Sequence, residues 1–456
     1  MNRRADEFLK NWLHDARRKP LVIRGARQVG KTWLVRDFAA SQKRQLVELN
    51  FEKNPQMATL FSSNEPKKTL ARLEAALDLS IDPGQSLLFL DEIQAVPDLF
   101  AKLRWFAEDL PELPVIAAGS LLEFVLSDHT FSMPVGRIGY MHLEPLSFEE
   151  FLDARGRQRL CRYLEEYSLN QEMPVEIHRQ LLSLFREYVA IGGMPAAVST
   201  WVTQQSLPQV AASHHDLLAT YRADFSKYRG RLPSERIEEV MLATPRQLGQ
   251  KFVIAHVNPE VHSKSIKQAI SLLNEARVCH SVVSTAANGV PLAAETNEKF
   301  FKEIFLDVGL CCAALGLSYH HITDIDDLVM VNRGAIAEQV VGQLLRTIDP
   351  FYVEPELYYW HRAERTSQAE VDYVIQHGHQ VIPIEVKSGA TGTLKSLQLF
   401  MNLRKLPHAI KVSSSLPSLA VTQFTLLSVP FYLCGQLHRL VDEVIELDRP
   451  RTPRSS

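Results

Sequence analysis

Residues 25–32 read GARQVGKT and fit the pattern G-x-x-x-x-G-K-[ST], in which a glycine-rich loop wraps a phosphate group. Gly25 and Gly30 let the backbone turn tightly and direct N–H groups at phosphate oxygens. Lys31 adds a compact positive charge, and the hydroxyl of Thr32 is a ligand for Mg²⁺. The sequence therefore predicts ATP and Mg²⁺ as cofactors. The predicted nucleotide contacts are Gly25, Ala26, Arg27, Gln28, Val29, Gly30, Lys31, Thr32 and Trp33.

The carboxylates that such a loop requires follow an apolar run, SLLFLDE, at residues 86–92. Consecutive apolar residues predict a strand that is buried on both faces, as in a parallel sheet. Asp91 stands at the carboxyl end of this strand, where open α/β sheets bind ligands. We assign Asp91 to Mg²⁺ and Glu92 to the attacking water, as its base or orienting group. Together the two motifs predict an ATP hydrolase.

Two further residues are candidates for contact with the reacting phosphate. Ser120 follows the apolar run at residues 115–118 and is either a sensor of the γ-phosphate or a plain turn residue. Arg137 lies in a loop before another strand-like run. It is either an arginine finger, supplied in cis or by a neighbouring copy of the chain, or a solvent-exposed arginine.

The elements that position these residues alternate along the first part of the chain. Apolar strands are predicted near 21–24, 45–51, 86–91, 114–119 and 138–143, with helical patterns between them, including one at residues 31–40. Alternation of this kind predicts a parallel sheet with helices on both faces. Residues 1–150 are therefore predicted to form an α/β ATPase domain.

The middle of the chain changes pattern twice. Residues 151–232 show helical spacing and are predicted to form a helical lid or linker. Residues 233–312 follow the order helix, strand, turn, strand, which is the outline of a winged helix. The predicted helix offers Lys264 and Lys267 for contact with DNA, and contact with a protein partner is the alternative reading.

Residues 313–445 contain the second chemical signal. Asp372 and Glu385 fall on adjoining predicted strands, and Lys387 shares a strand face with Glu385. Two carboxylates and a lysine at one point suit a metal ion with an activated water. Glu338 or Gln398, on flanking helices, completes the candidate second metal site. The spacing resembles the PD-(D/E)XK nuclease core, and three readings stay open: an active nuclease, a nucleic-acid or partner-binding domain, and a retained fold whose charges pair with one another.

Composition limits the classes of protein that the chain can belong to. Its 456 residues carry 50 basic and 53 acidic side chains, a formal net charge of −3, so any nucleic-acid contact must come from a local patch. The five cysteines show no metal-binding spacing, which predicts a reducing, cytoplasmic location. No run is apolar enough for a membrane span or a signal peptide. The tail at 446–456 is predicted to be disordered.

Taken together, these motifs resemble a prokaryotic family of AAA+-type P-loop ATPases with a C-terminal domain of unknown function related to PD-(D/E)XK nucleases. The resemblance also rests on LEPLSFEEF at 143–151, IGGMP at 191–195, FLDVGL at 305–310 and GAIAEQVVGQLL at 334–345. It implies an ATPase core, a winged-helix section and a nuclease-like end in which Asp372, Glu385 and Lys387 match the motif, with Glu338 as the helix carboxylate. The second sensor arginine of AAA+ proteins has no clear counterpart.

The sequence thus predicts Mg²⁺-dependent ATP binding and hydrolysis coupled to a C-terminal domain that binds DNA or a partner. One alternative is a metal-dependent DNA nuclease licensed by ATP. The other is a nucleotide-gated interaction protein with slow turnover. ATP and ADP, DNA, a protein partner and a second copy of the chain are the candidate partners, and no membrane is expected.

Overall fold

The computed structural model of the protein describes residues 1–120, 122, 136–225, 232–317, 325–364, 367–389 and 393–448. The chain divides into two compact units. The first unit combines Met1–Pro145 with the short segments Glu275–Arg277 and Pro350–Glu354. The second unit contains Leu146–Asn274, Val278–Asp349 and the described part of the chain after Pro355.

The first unit alternates strands with helices. Its helices are α1 (Ala5–His14), α2 (Lys31–Ser41), α3 (Pro66–Leu77) and α4 (Leu99–Asp109), with short 3-10 helices at Pro55–Phe61 and Ile93–Ala95. Its strands are β1 (Leu21–Arg24), β2 (Gln45–Asn50), β3 (Ser86–Asp91), β4 (Val115–Ala118) and β5 (Gly139–His142).

These strands form one parallel sheet in the order β2-β3-β4-β1-β5. The strand and helix predictions for this part of the chain are confirmed to within about two residues at each end. All six residues of β3 are buried, as expected for a strand covered on both faces. Because β1, β3 and β4 run in the same direction, their carboxyl ends lie at one edge of the sheet. This edge carries the candidate site.

The two short segments of the first unit were not anticipated from the sequence. In this unit the backbone N–H of His142, at the end of β5, donates to the carbonyl of Phe351 (2.8 Å). The buried Arg277 forms an ion pair with Glu354 (2.7 Å). The outer strand of the sheet, β5, thus has partners that are distant in the sequence. The predicted domain of residues 1–150 therefore omits part of the unit.

The second unit begins with helices and continues into a second sheet. Its helices are α5 (Phe148–Ala154), α6 (Gln158–Glu166), α7 (Val175–Ile191), α8 (Pro195–Gln204), α9 (Leu207–Asp224), α10 (Ser234–Ala243), α11 (Ser263–Glu275), α12 (Val308–Ala314), α13 (Ile325–Leu345), α14 (Lys395–Arg404) and α15 (Leu437–Asp448). Short 3-10 helices lie at Pro245–Gln247, Ile254–His256, Leu292–Glu295 and Phe431–Gln436. Its strands are β6 (Cys279–Thr285), β7 (Thr296–Phe305), β8 (Leu357–Glu364), β9 (Ser367–His377), β10 (Gln380–Val386), β11 (His408–Ser413), β12 (Ser418–Val421) and β13 (Thr425–Pro430).

The helical pattern predicted after residue 150 is present, and local sequence explains where two of the helices begin and end. Ser147 caps α5: its hydroxyl accepts from the N–H of Glu150, whose carboxylate accepts from the N–H of Ser147. The motif IGGMP at residues 191–195 lies where α7 ends and α8 begins. Gly192 there has a φ of 77°, a left-handed conformation that favours glycine.

The strands of the second unit form one sheet in the order β12-β13-β11-β10-β9-β8-β6-β7. The predicted order helix, strand, turn, strand is present as α11, β6 and β7. However, β6 pairs in parallel with β8, so this hairpin is the edge of the larger sheet. The predicted boundary between residues 312 and 313 therefore passes through a single sheet, and hydrogen bonds between β6 and β8 are the reason.

The C-terminal part has the element order helix, three strands, helix and strand, as α13, β8, β9, β10, α14 and β11. The predicted tail overlaps α15, whose last residue Asp448 accepts from Thr425 (2.8 Å) and pairs with His408 (3.0 Å). The rest of the predicted tail, residues 449–456, lies outside the described residues. No helix among the described residues is long and apolar enough to cross a membrane.

Candidate functional site

The glycine-rich loop connects β1 to α2 at the carboxyl edge of the first sheet. A side-chain carbon on Gly25 would lie 2.4 Å from the carbonyl oxygen of Leu143, so only glycine fits there. Gly30 has a φ of 96° and stands at the amino end of α2. The amino end of a helix attracts anions because its first N–H groups lack partners. The loop thus has the shape and polarity that a phosphate group requires.

Lys31 lies in this loop with its ammonium turned inward. It is 7% exposed, and its Nζ donates to the carbonyl oxygens of Gly25 (2.9 Å) and Ala26 (2.8 Å). Burial lowers the pKa of Lys31 to about 8, although the nearby Glu92 and Asp91 favour the charged form. A buried cation held mainly by neutral carbonyl groups is well placed to bind the oxygens of a phosphate.

Thr32 and Asp91 face each other as the sequence predicts. The Thr32 hydroxyl donates to the carboxylate of Asp91, at 3.3 Å from each oxygen. Neighbouring ligands of an octahedral Mg²⁺ with bonds of about 2.1 Å are about 3 Å apart, so these two side chains fit the ion. Asn50, which sequence analysis missed, donates to the Asp91 carboxylate at 3.0 Å. Burial, followed by the neighbouring Glu92, raises the pKa of Asp91, and the bond from Asn50 opposes this shift.

Glu92 occupies a strained backbone position. Its φ of 51° is left-handed, a conformation that costs a residue other than glycine about 1 kcal/mol or more. The Glu92 Oε2 atom accepts from Gln94 Nε2 (2.5 Å) and lies 3.4 Å from both the N–H and the hydroxyl of Ser120. The structure therefore brings Ser120 to the carboxylate that is assigned to the attacking water. Gln94, a further partner of Glu92, was missed.

The remaining residues of the predicted nucleotide contacts differ in exposure. Ala26 and Val29 are buried, whereas Trp33 is 43% exposed. Gln28 has a φ of 64°, which contributes a second left-handed position to the turn. The loop is therefore anchored by its apolar residues and has one exposed aromatic ring immediately after Thr32.

Arg3 supports the loop from α1's amino end and was not predicted. Its side chain is buried, and its guanidinium donates to the carbonyl oxygens of Val29 (2.9 Å) and Glu144 (2.7 Å). Val29 belongs to the glycine-rich loop, and Glu144 follows β5. One arginine thus ties the loop to the end of the neighbouring strand.

We expect Arg3→Met to destabilise the first unit by about 1–3 kcal/mol, because two buried carbonyl groups lose their donor. ATP should also bind more weakly, since Val29 loses an anchor. Thermal melting and calorimetric titration with ATP measure the two effects. Lys10→Met, at an exposed position of α1, is the matched control. Unchanged affinity in Arg3→Met would show that this arginine does not shape the loop.

A buried cluster of charges at the end of β5 surrounds Arg277. The guanidinium lies 3.8 Å from Glu144 Oε1, 2.7 Å from Glu354 Oε1 and 3.3 Å from His142 Nδ1. Burial, followed by the charge of Arg277, lowers the pKa of His142 to about 4. Arg277 also lowers the pKa of Lys31, which places its positive charge within electrostatic reach of the loop.

Arg137 lies away from the loop within its own unit. Leu21 of β1 pairs with Gly139, and Arg24 pairs with His142. Arg137 therefore stands near the amino end of β1, whose four residues span about 13 Å, while the loop follows the carboxyl end. Its Nε atom pairs with Glu108 at 2.9 Å. An arginine finger in cis is thus contradicted by strand direction, and a finger in trans stays a prediction.

The candidate second site in the C-terminal part is also assembled. Glu338 on α13, Asp372 on β9 and Glu385 on β10 converge in the second unit, and Lys387 pairs with Glu385 at 2.6 Å. Lys302 of β7, which sequence analysis missed, lies among these carboxylates. Among the residues that the structure describes, no hydrogen bond joins Gln398 on α14 to these carboxylates.

The predicted second metal site also contains a cation of the protein itself. The cation that faces Glu338 and Asp372 is the ammonium of Lys302. In the part of the chain that the structure describes, no group of three or more His, Cys, Asp or Glu residues is arranged to hold a metal ion. The Lys302 ammonium contacts the Glu338 and Asp372 oxygens that a metal there would need.

The fold and the loop geometry of the first unit define a class, a P-loop domain built on a parallel α/β sheet. Residues 17–152 match the family model described as AAA domain. Residues 182–321 and 333–432 match two models described as domains of unknown function, DUF8612 and DUF4143. No curated protein matches the chain.

Solved structures give weaker likenesses. The Walker-type ATPase PABY2304 of Pyrococcus abyssi is 14% identical with a TM-score of 0.43, over 68% of this chain and 94% of that chain. The ORC1 protein of Aeropyrum pernix in complex with DNA is 12% identical with a TM-score of 0.27, over 72% of this chain and 92% of that chain. Both scores are below 0.5, so neither likeness supports an argument about function.

Proposed function

We propose that the protein hydrolyses ATP with Mg²⁺ at the carboxyl edge of the first sheet. The observation that carries this proposal is the convergence of Lys31, Thr32, Asp91 and Glu92 from β1's loop and the end of β3. The glycine-rich loop and the acidic pair are far apart in the sequence, but the parallel sheet brings them to one point. The match of residues 17–152 to the AAA domain supports the proposal.

The proposed mechanism assigns each side chain one task. Lys31 binds the β- and γ-phosphate oxygens and offsets the charge that develops on them. Thr32 and Asp91 would hold Mg²⁺, which would supply further positive charge to the phosphates when bound. Glu92 orients the water and accepts its proton as the new P–O bond forms. The bond between the γ-phosphorus and the bridging oxygen breaks, and ADP and inorganic phosphate leave.

We further propose that the ATP cycle controls binding of DNA or a protein by the second unit. Lys264 and Lys267 on α11 are exposed and available for such contact.

The arginine finger remains part of the proposal only in trans, with Arg137 of one copy reaching the γ-phosphate bound by another. This arrangement requires two or more copies of the chain to associate, at least transiently.

A nucleotide-gated switch with slow turnover is the second candidate function. The hydrogen bond of 2.5 Å from Gln94 to Glu92 favours it, because a carboxylate that is held by an amide is less free to accept a proton. ATP binding would then be tight while hydrolysis remained slow.

Release of phosphate by the purified full chain tests both candidates. We expect release that requires Mg²⁺, stops with EDTA and is lost in Asp91→Asn, and duplex DNA should accelerate it if DNA is the partner. Tight ATP binding with turnover below detection would select the switch. Release that persists in Asp91→Asn at the rate of the unchanged chain would contradict the assignment of the site.

A further inference from the structure

Lys302 is almost completely buried among carboxylates in the second unit. Its side chain is 4% exposed, and its Nζ lies 3.1 Å from Glu338 Oε2 and 4.0 Å from Asp372 Oδ1. The same ammonium also pairs with Glu370 of β9. It lies 5.3 Å from the ring centre of Tyr359 on β8, so an aromatic face covers the cation as well. One lysine of β7 thus pairs with carboxylates from helix α13 and from β9, a strand that is not adjacent to β7 in the sheet.

Two other oxygens of the cluster have donors in the protein, and one buried oxygen has none among the residues that the structure describes. The second oxygen of Asp372 accepts from the backbone N–H of Val386 at 2.7 Å. Lys387 pairs with Glu385 Oε1 at 2.6 Å. Glu385 Oε2 is buried without a partner among the described atoms. A metal that bound Glu338 Oε2 and Asp372 Oδ1 together would have to displace the Lys302 ammonium from both carboxylates.

Electrostatics points in the same direction. Burial lowers the pKa of Lys302, but Glu338, Glu370 and Asp372 together raise it further, so the ammonium stays charged. Burial, followed by the nearby Asp372, raises the pKa of both Glu338 and Glu385. The cluster thus contains a cation that stays charged beside its carboxyl groups.

A divalent ion requires the opposite conditions. Mg²⁺ takes oxygen ligands at about 2.1 Å in octahedral geometry and needs carboxylates that are ionised. An ion that bridged Glu338 and Asp372 would compete for the oxygens that the Lys302 ammonium contacts, and the two positive charges would repel each other. The residues present therefore do not fit a catalytic divalent metal.

We infer that Lys302 is the resident cation of this cluster and takes the place of a divalent metal. The C-terminal domain is accordingly a metal-independent ion network that does not cut nucleic acid with a metal-activated water. Any nucleic acid or protein that this domain engages is bound without being cleaved at Glu338, Asp372 and Glu385. The inference is independent of ATP hydrolysis, because it concerns residues of the second unit alone.

Binding of Mn²⁺ to the nucleotide-free full chain tests the inference without altering Lys302. Electron paramagnetic resonance counts free and bound Mn²⁺ in the unchanged protein and in Asp372→Asn. We expect the same number of bound ions in both, because the cluster contributes none. A site that is present in the unchanged protein and absent from Asp372→Asn would overturn the inference. So would Mg²⁺- or Mn²⁺-dependent cutting of plasmid that survives Lys31→Ala and disappears in Asp372→Asn.

Lys302→Met provides the complementary test, because it keeps an apolar stem of similar length and removes the charge. We expect one additional Mn²⁺ site per chain and a rise in melting temperature with Mn²⁺, both absent from the double variant Lys302→Met/Asp372→Asn. Lys302→Arg keeps the charge and should gain no site. A folded Lys302→Met protein that gains no Mn²⁺ site would contradict the inference. If Lys302→Met does not fold, the number of Mn²⁺ ions bound by the unchanged protein and by Asp372→Asn decides whether the cluster holds a metal.

Discussion

Glu92→Gln should lower the turnover number for ATP by about 10²- to 10⁴-fold, the range that a positioned general base contributes. Glutamine has the same shape as glutamate but cannot accept a proton from water. The contacts of Glu92 with Gln94 and Ser120 indicate a carboxylate held in place at the edge of the site. Since Lys31, Thr32 and Asp91 are unchanged, ATP affinity should remain close to that of the unchanged chain. Steady-state phosphate release and equilibrium titration measure the two quantities separately.

Glu112→Gln is the control for this prediction, because it makes the same chemical change at an exposed position of the same unit. Its turnover should match that of the unchanged chain. Normal turnover in Glu92→Gln would remove Glu92 from the mechanism. Loss of ATP binding in Glu92→Gln would indicate that the carboxylate holds the loop or the ion rather than the water.

Lys31→Ala should abolish the stabilisation that ATP gives to the protein. At a free ATP concentration of 100 times its dissociation constant, the unchanged chain should gain about 2.7 kcal/mol in the free energy of unfolding. The substitution removes the only ammonium within the loop's own sequence and leaves the carbonyl groups of Gly25 and Ala26 without this donor. Melting temperatures with and without Mg²⁺ and ATP measure the effect.

Arg36→Ala on the same helix is the matched control. Arg36 is exposed and pairs with Glu48 at the surface, an interaction worth about 1 kcal/mol or less. We expect this variant to be stabilised by ATP as strongly as the unchanged chain. A full ATP-dependent gain in Lys31→Ala would contradict the assignment of this lysine to the phosphates.

Local patterns predicted the first sheet and its central residues well. The loop at 25–32 and the acidic pair at 91–92 are each encoded in a few consecutive residues next to an apolar strand. The structure places both at the same sheet edge because parallel strands end together. Asn50 could have been found by the same reasoning, since it ends β2 and pairs in register with Asp91. Its signal is a polar residue at the end of an adjoining strand.

Contacts between distant parts of the chain could not be predicted in this way. Arg3 binds the carbonyl group of Glu144, and Arg277 pairs with the same residue's side chain and with Glu354. Lys302 approaches Glu338 and Asp372 only because the second sheet brings their elements together. Nothing in the sequence around these basic residues distinguishes them from exposed ones. The missed lysine is the observation on which the inferred ion network of the C-terminal carboxylates depends.

The division of the chain shows the same limit. The pattern around α11, β6 and β7 predicts a small unit of its own, since a helix and a hairpin are local features. Whether a hairpin stands alone depends on what pairs with its edges, and here β6 pairs with β8. Strand pairing over such a sequence separation has no local signature, so a domain boundary was predicted where a sheet continues.

The central claim is that the loop after β1 binds ATP with Mg²⁺ shared between Thr32 and Asp91. Isothermal titration calorimetry of the folded full chain with ATP, in the presence of Mg²⁺, tests it most directly. The account predicts one binding event per chain that weakens strongly without Mg²⁺ and disappears in Lys31→Ala. Absence of heat and of binding for both ATP and GTP, in protein whose circular dichroism shows it to be folded, would contradict the account.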